Sequence, residues 1–160
     1  MDKVELRIKK LLYGSNLTLC AAESCTGGRI SHLITTIPGS SDYYLGSVTS
    51  YSPLIKQKLL GVSAATIEEN GIVSSAVARA MAEGARKLTG ADYSVATTGW
   101  ADSYGDEHEP AGTCWVAVSG PRGTISEKLS HNEARISNIK AFATSALEIL
   151  YDYIKKDLNN

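Results

Sequence analysis

The sequence predicts an α/β fold: one three-layer α/β/α domain over residues 1–160, with a mixed, mostly parallel sheet and an antiparallel hairpin near the C-terminus. Three observations carry this. Nearly continuous apolar runs at 17–23, 93–98 and 113–119 read as central strands covered on both faces. Stretches with apolar residues at helical spacing alternate with them. A turn, Gly120-Pro121-Arg122-Gly123, joins the last apolar run to a polar, alternating segment at 124–129, the pattern of an edge hairpin.

Each element follows in order. Val4, Ile8, Leu11 and Leu12 fall on one helical face within residues 2–13, and Gly14 stops the run. Leu17 to Glu23 is the first strand. A helix from Arg29 to about Ile34 presents Ile30, Leu33 and Ile34 and ends before Pro38. Tyr43 to Tyr51 reads as a second strand. Ser52-Pro53 opens a short helix carrying Lys56 and Leu59-Leu60. Ser63 and Thr66 are candidate caps of another, ending at Asn70-Gly71. A long helix from about Ser74 to Leu88 aligns Val77, Met81, Ala85 and Leu88. After the strand at 93–98 comes a polar, acidic loop from Trp100 to Ala111, then the hairpin. A final helix runs from about Asn132 to Lys155, with Ile139, Ala143, Leu147 and Leu150 facing inward.

Composition bounds the function classes. The 160 residues are 43% hydrophobic and 21% charged, with a net charge of -1, so no bulk attraction to nucleic acid or membrane is expected. Lys and Arg do not cluster with aromatics, no apolar run spans a bilayer, and the N-terminus lacks a signal-peptide pattern. Cys20, Cys25 and Cys114 lack metal-ligand spacing and suit free thiols in a reducing, cytoplasmic setting. His32, His108 and His131 are scattered, which argues against a metal centre or a Ser-His-Asp triad.

The chemistry concentrates at Ala22-Glu23-Ser24-Cys25-Thr26-Gly27-Gly28, a hydroxyl-rich glycine turn between strand and helix. Backbone N–H groups at such a turn can hold a phosphate or an oxyanion, and a hydroxyl or thiol on it can be a nucleophile. Ser24 and Thr26 could equally be simple helix caps. Ligands of open α/β sheets lie beyond the carboxyl ends of the strands, which brings Ser24–Gly28, Tyr51–Lys56 and Thr97–Trp100 together. A serine there needs a base, and a lysine can serve if desolvation lowers its pKa. Lys56 is the available amine, though a lysine is ordinarily solvent-exposed. Cys25 is the rival nucleophile. Adjacent on the chain, Ser24 and Cys25 have diverging side chains and cannot both point into one site equally.

Taken together, these residues resemble the CinA C-terminal domain, the PncC-type nicotinamide-nucleotide amidohydrolases. Beyond the 22–28 string, the similarity includes Pro38-Gly39-Ser40-Ser41, Tyr51-Ser52 with Lys56, Leu60-Gly61-Val62 and Gly71-Ile72-Val73-Ser74. It continues through Ala80-Met81-Ala82-Glu83-Gly84-Ala85, Thr98-Gly99 and Pro110-Ala111-Gly112-Thr113. The resemblance implies deamidation of nicotinamide mononucleotide to nicotinic acid mononucleotide and ammonia, with neither metal nor redox cofactor. It implies Ser24 as nucleophile, Lys56 as base and Tyr51 as an assisting tyrosine. It implies a substrate site formed by Cys25, Thr26, Gly27, Gly28, Ser40, Thr98 and Gly99, with Arg135 as a phosphate contact, and a homo-oligomer. The chain departs from the family after Thr98-Gly99. Trp100 replaces an aliphatic residue, Asp102 replaces a glycine, and Glu109 replaces a lysine. The acidic groups Asp102, Asp106, Glu107 and Glu109 would disfavour a phosphorylated ligand if they face the site. The alternative is therefore a catalytically weak or inactive member that binds a nucleotide or a partner.

Overall fold

A computed structural model describes residues 2–160. The elements are α1 (Val4–Leu12), β1 (Leu19–Glu23), α2 (Arg29–Thr35), a 3-10 turn at Ser40–Asp42, β2 (Tyr44–Thr49), α3 (Pro53–Leu60) and α4 (Ala64–Asn70). They continue with α5 (Ser75–Thr89), β3 (Tyr93–Gly99), β4 (Thr113–Gly120), β5 (Gly123–Ser130) and α6 (Arg135–Leu158). The five strands lie in the order β2-β1-β3-β4-β5. β1 pairs in parallel with both β2 and β3, whereas β3–β4 and β4–β5 are antiparallel. β4 alone runs against the rest, so the sheet is mixed yet mostly parallel in direction.

The period-2 alternation of the strands sorts the core into two layers. Leu19 and Ala21, Val95, and Val116 and Val118 face one side, where they pack with Ile8 and Leu12 of α1, Ile30 and Ile34 of α2, and Phe142, Leu147 and Leu150 of α6. Cys20, Ala22, Ala96 and Ala117 face the other, against Val77, Met81 and Ala82 of α5 and Leu60 of α3. The second face is lined by small residues, and helices there come close. A Cβ at Gly84 of α5 would lie 1.8 Å from the Leu60 carbonyl oxygen, so only glycine fits under the end of α3.

Element boundaries shift from the sequence reading where side chains intervene. β1 starts at Leu19 rather than Leu17, because the Thr18 N–H and hydroxyl donate to the Asp92 carboxylate instead of extending the ladder. β2 ends at Thr49, so Tyr51 lies beyond the strand in the link to α3. That link is capped as expected: Ser52 accepts the Ile55 N–H at 3.2 Å, and Pro53 takes the first helical position. No helix among the described residues is long and apolar enough to cross a membrane.

Candidate active site

The carboxyl ends of β1, β2 and β3 converge as the parallel register requires. Ser50 N–H donates to the Glu23 carbonyl (2.8 Å), and Ser24 N–H donates to the Thr97 carbonyl (3.1 Å). Glu23, the last residue of β1, is fully buried. Its carboxylate accepts from the Thr26 hydroxyl (2.6 Å) and from the N–H groups of Ile30 (2.9 Å) and Ser31 (3.0 Å). The chain thus carries its own anion at the start of α2, where the dipole and unpaired N–H groups favour one. Gly27 (φ 60) and Gly28 (φ 101) supply the left-handed backbone that returns the chain to the helix.

This clamp fixes Ser24, which is 8% exposed. Lys56, one turn into α3, reaches under it and is only 1% exposed. Its Nζ donates to Ser24 Oγ at 2.8 Å and to the Ser50 carbonyl at 2.6 Å. Burial pushes the Lys56 ammonium down from 10.5 to about 8, with the neighbouring Cys25 pulling weakly the other way. The Cys25 side chain diverges from Ser24 and its Sγ lies 3.6 Å from Cys114 Sγ on β4. Burial, followed by contact with Cys25, raises the Cys114 pKa well above the ordinary thiol value.

Above the dyad opens a cavity of about 200 Å³. Its lining includes Ser24, Cys25, Tyr51, Pro53, Lys56, Ile72, Val73 and Thr98, and then Gly99 to Asp102, Tyr104 and Arg135. Thr98 lines it while its hydroxyl donates to the Ile72 carbonyl (2.8 Å), which holds the 72–73 segment in place. Gly99 is a close approach, since a Cβ there would meet the Thr113 carbonyl oxygen at 2.7 Å. Arg135, the first residue of α6, stands at the mouth. Its Nη2 donates to the Tyr51 hydroxyl (2.9 Å) and its Nη1 to Asp102 Oδ2 (3.1 Å).

Several expected site residues sit differently. Ser40 belongs to the 3-10 turn that leads into β2, whereas the cavity lies where that strand exits, so Ser40 is not part of its lining. Thr26, Gly27 and Gly28 also lie outside the lining, and the Thr26 hydroxyl is committed to Glu23 and to Thr97 (2.8 Å). The Gly27 N–H is likewise taken, by the Ser24 carbonyl (3.1 Å). The N–H groups of Cys25 and Thr26 have no protein acceptor among the described residues. Tyr51 lines the cavity but is 61% exposed, and its hydroxyl bonds Arg135 rather than the dyad. The sequence reading missed Glu23 as the clamp; a lone carboxylate ending an apolar strand was the available signal. The role of the Ser50 carbonyl had none. No group of three or more His, Cys, Asp or Glu among the described residues could hold a metal ion.

Comparison with known proteins matches this arrangement to a family. The profile of the CinA C-terminal domain covers residues 1–154. The chain belongs to the CinA C-terminal domain family. A CinA-like protein of Flavobacterium psychrophilum is 38% identical over 157 residues, which cover 98% of this chain and 38% of that protein. Another, from Salinibacter ruber, is 44% identical over 138 residues, covering 86% of this chain and 34% of that protein. The chain therefore spans little more than a third of the length of these CinA relatives. Among solved structures, a competence-damaged protein (CinA) superfamily protein from Klebsiella pneumoniae superposes with a TM-score of 0.91 at 26% identity, covering 96% of each chain. One from Escherichia coli gives 0.88 at 28% identity, covering 92% of this chain and 87% of that one.

Proposed function

We propose that this CinA-family chain is a serine amidohydrolase that deamidates the carboxamide of a pyridine nucleotide, with nicotinamide mononucleotide as the reference substrate. The observation that carries this reading is the buried Lys56 amine 2.8 Å from Ser24 Oγ at the floor of a cavity. With a pKa of about 8, roughly a tenth of Lys56 is unprotonated at pH 7, enough to act as a base. The neutral amine takes the Ser24 proton as Oγ attacks the carboxamide carbon. The N–H groups of Cys25 and Thr26 supply donors for the developing oxyanion. Lys56 then returns its proton to the leaving ammonia, and a water activated by the same amine releases the acid. Tyr51, held by Arg135, positions substrate at the mouth.

Ammonia release from nicotinamide mononucleotide tests the assignment. Ser24→Ala and Lys56→Ala should each lower turnover by about a thousandfold or more, and Cys25→Ala should keep it within about tenfold. Wild-type turnover in either of the first two variants removes the mechanism. Collapse only in Cys25→Ala would transfer the role to the thiol.

A further inference from the structure

The charges at the cavity mouth bear on which amide enters. Two cations line the cavity, and Lys56 is committed at the floor to Ser24 and Ser50. The other, Arg135, already has one nitrogen on Asp102 and one on Tyr51. Asp102 is the one loop carboxylate in the cavity lining. Glu109 turns away to Trp115 Nε1 (3.2 Å) and Lys128 (3.0 Å), and Asp106 caps its own loop by accepting the N–H groups of His108 and Glu109. Glu107 lies beside His108 at 3.5 Å. Among the described residues the mouth therefore carries one guanidinium and one carboxylate, with no unpaired cation to meet a phosphate dianion. A phosphate approaching Arg135 would also approach Asp102, and like charges brought that close repel. Ribose hydroxyls, by contrast, are donors that a carboxylate accepts well. Trp100 and Tyr104 stand beside the ion pair with ring centroids 5.7 Å apart, a wall suited to a flat ring and to a cationic one above all.

We infer that Asp102 is a specificity-determining residue that sets this cavity to take an unphosphorylated nucleoside bearing a pyridinium carboxamide in preference to its 5′-phosphate. The inference rests on the amidase reading for the reaction but not for the binding preference. Asp102 attracts a ligand of net positive charge, pairs with its hydroxyls, and keeps Arg135 from serving a phosphate.

The test compares nicotinamide riboside with nicotinamide mononucleotide on the full chain. It measures kcat/KM for ammonia release and, separately, affinity by calorimetry on the Ser24→Ala variant. The wild type should favour the riboside by about tenfold or more, and Asp102→Ala should swing the ratio toward the mononucleotide by about ten- to a hundredfold, read in KM rather than kcat. Asp102→Glu should retain the riboside preference. A wild-type preference for the mononucleotide, or a ratio that Asp102→Ala leaves unmoved, overturns the inference. If neither compound releases ammonia but affinities follow the Asp102-dependent ratio, the amidase reading falls and the inference stands. Binding of neither compound overturns both.

Discussion

The floor and the mouth of the cavity hold polar groups of similar kind under opposite conditions. At the floor, Glu23, Ser24 and Lys56 are buried: Lys56 bonds Ser24 and the link after β2, and Glu23 bonds the turn and the first residues of α2. At the mouth, the side chains of Arg135 and Asp102 are 42% and 44% exposed and meet through solvent-washed contacts. Burial is what turns an ordinary lysine into a base, because removing water from the ammonium disfavours its charge. Exposure does the reverse: the ion pair is screened and contributes roughly 0–1 kcal/mol to stability, so its residues can change with little cost to the fold. On the proposed reading, chemistry resides in the region that folding locks, and substrate preference in the region that folding leaves adjustable.

The contrast can be broken from either side. The largest effect belongs to the Lys56 amine. Turnover should fall about tenfold per pH unit below about 8, since only the neutral amine serves as base, and this limb should vanish with the activity in Lys56→Met. Stability should respond as well. The folded pKa of about 8 lies below the unfolded 10.5, so between them Lys56's own contribution to stability rises with pH, by about 3 kcal/mol in all. It does so against the opposite trend of the buried Cys20 and Cys114 thiols, whose pKa values burial raises. Chemical denaturation of Lys56→Met should show that rise abolished; an unchanged rise would mean Lys56 is solvated.

Next comes Glu23→Ala, which strands two N–H groups of α2 and the Thr26 hydroxyl in a dry site. Unfolding free energy should drop by about 3 kcal/mol, with Glu23→Gln costing roughly half as much. A midpoint unchanged in denaturant would show that the clamp is dispensable. The smallest effect should come from Tyr51→Phe, which removes an exposed hydroxyl bonded to Arg135. A change in KM of under about tenfold, with kcat nearly kept, is expected of a mouth residue. Should kcat collapse as it does for Lys56→Met, Tyr51 acts with the dyad and the division between floor and mouth fails.

Much of the fold could be read from local pattern. Strands and helices appeared where apolar periodicity and Gly or Pro punctuation agreed, and the Ser24 turn announced itself by its hydroxyls and glycines. The pairing of Ser24 with Lys56, 32 residues apart, was legible only through strand-end topology and the family resemblance, because a lysine is solvated or buried according to what packs over it. The bond between Tyr51 and Arg135, 84 residues apart, was not legible, because it depends on where α6 begins relative to the link after β2. Ser40 illustrates the opposite case. Its neighbourhood matched a family motif, yet the topology carries it to the entry of β2, outside the cavity lining. Glu23 was overlooked because a carboxylate inside an apolar run reads as an interruption until the helix it caps is in view.

β2 bonds to β1 on one side and, among the described residues, has no strand on the other. Through Ser50 and α3, this edge delivers both the buried Lys56 amine and the carbonyl that holds it. Unzipping a single ladder would carry Lys56 out into water while the central strands and α6 stayed assembled. On the amidase reading proposed above, competence would hence be set by the grip of the outermost strand, a looser hold than the one that keeps the domain folded.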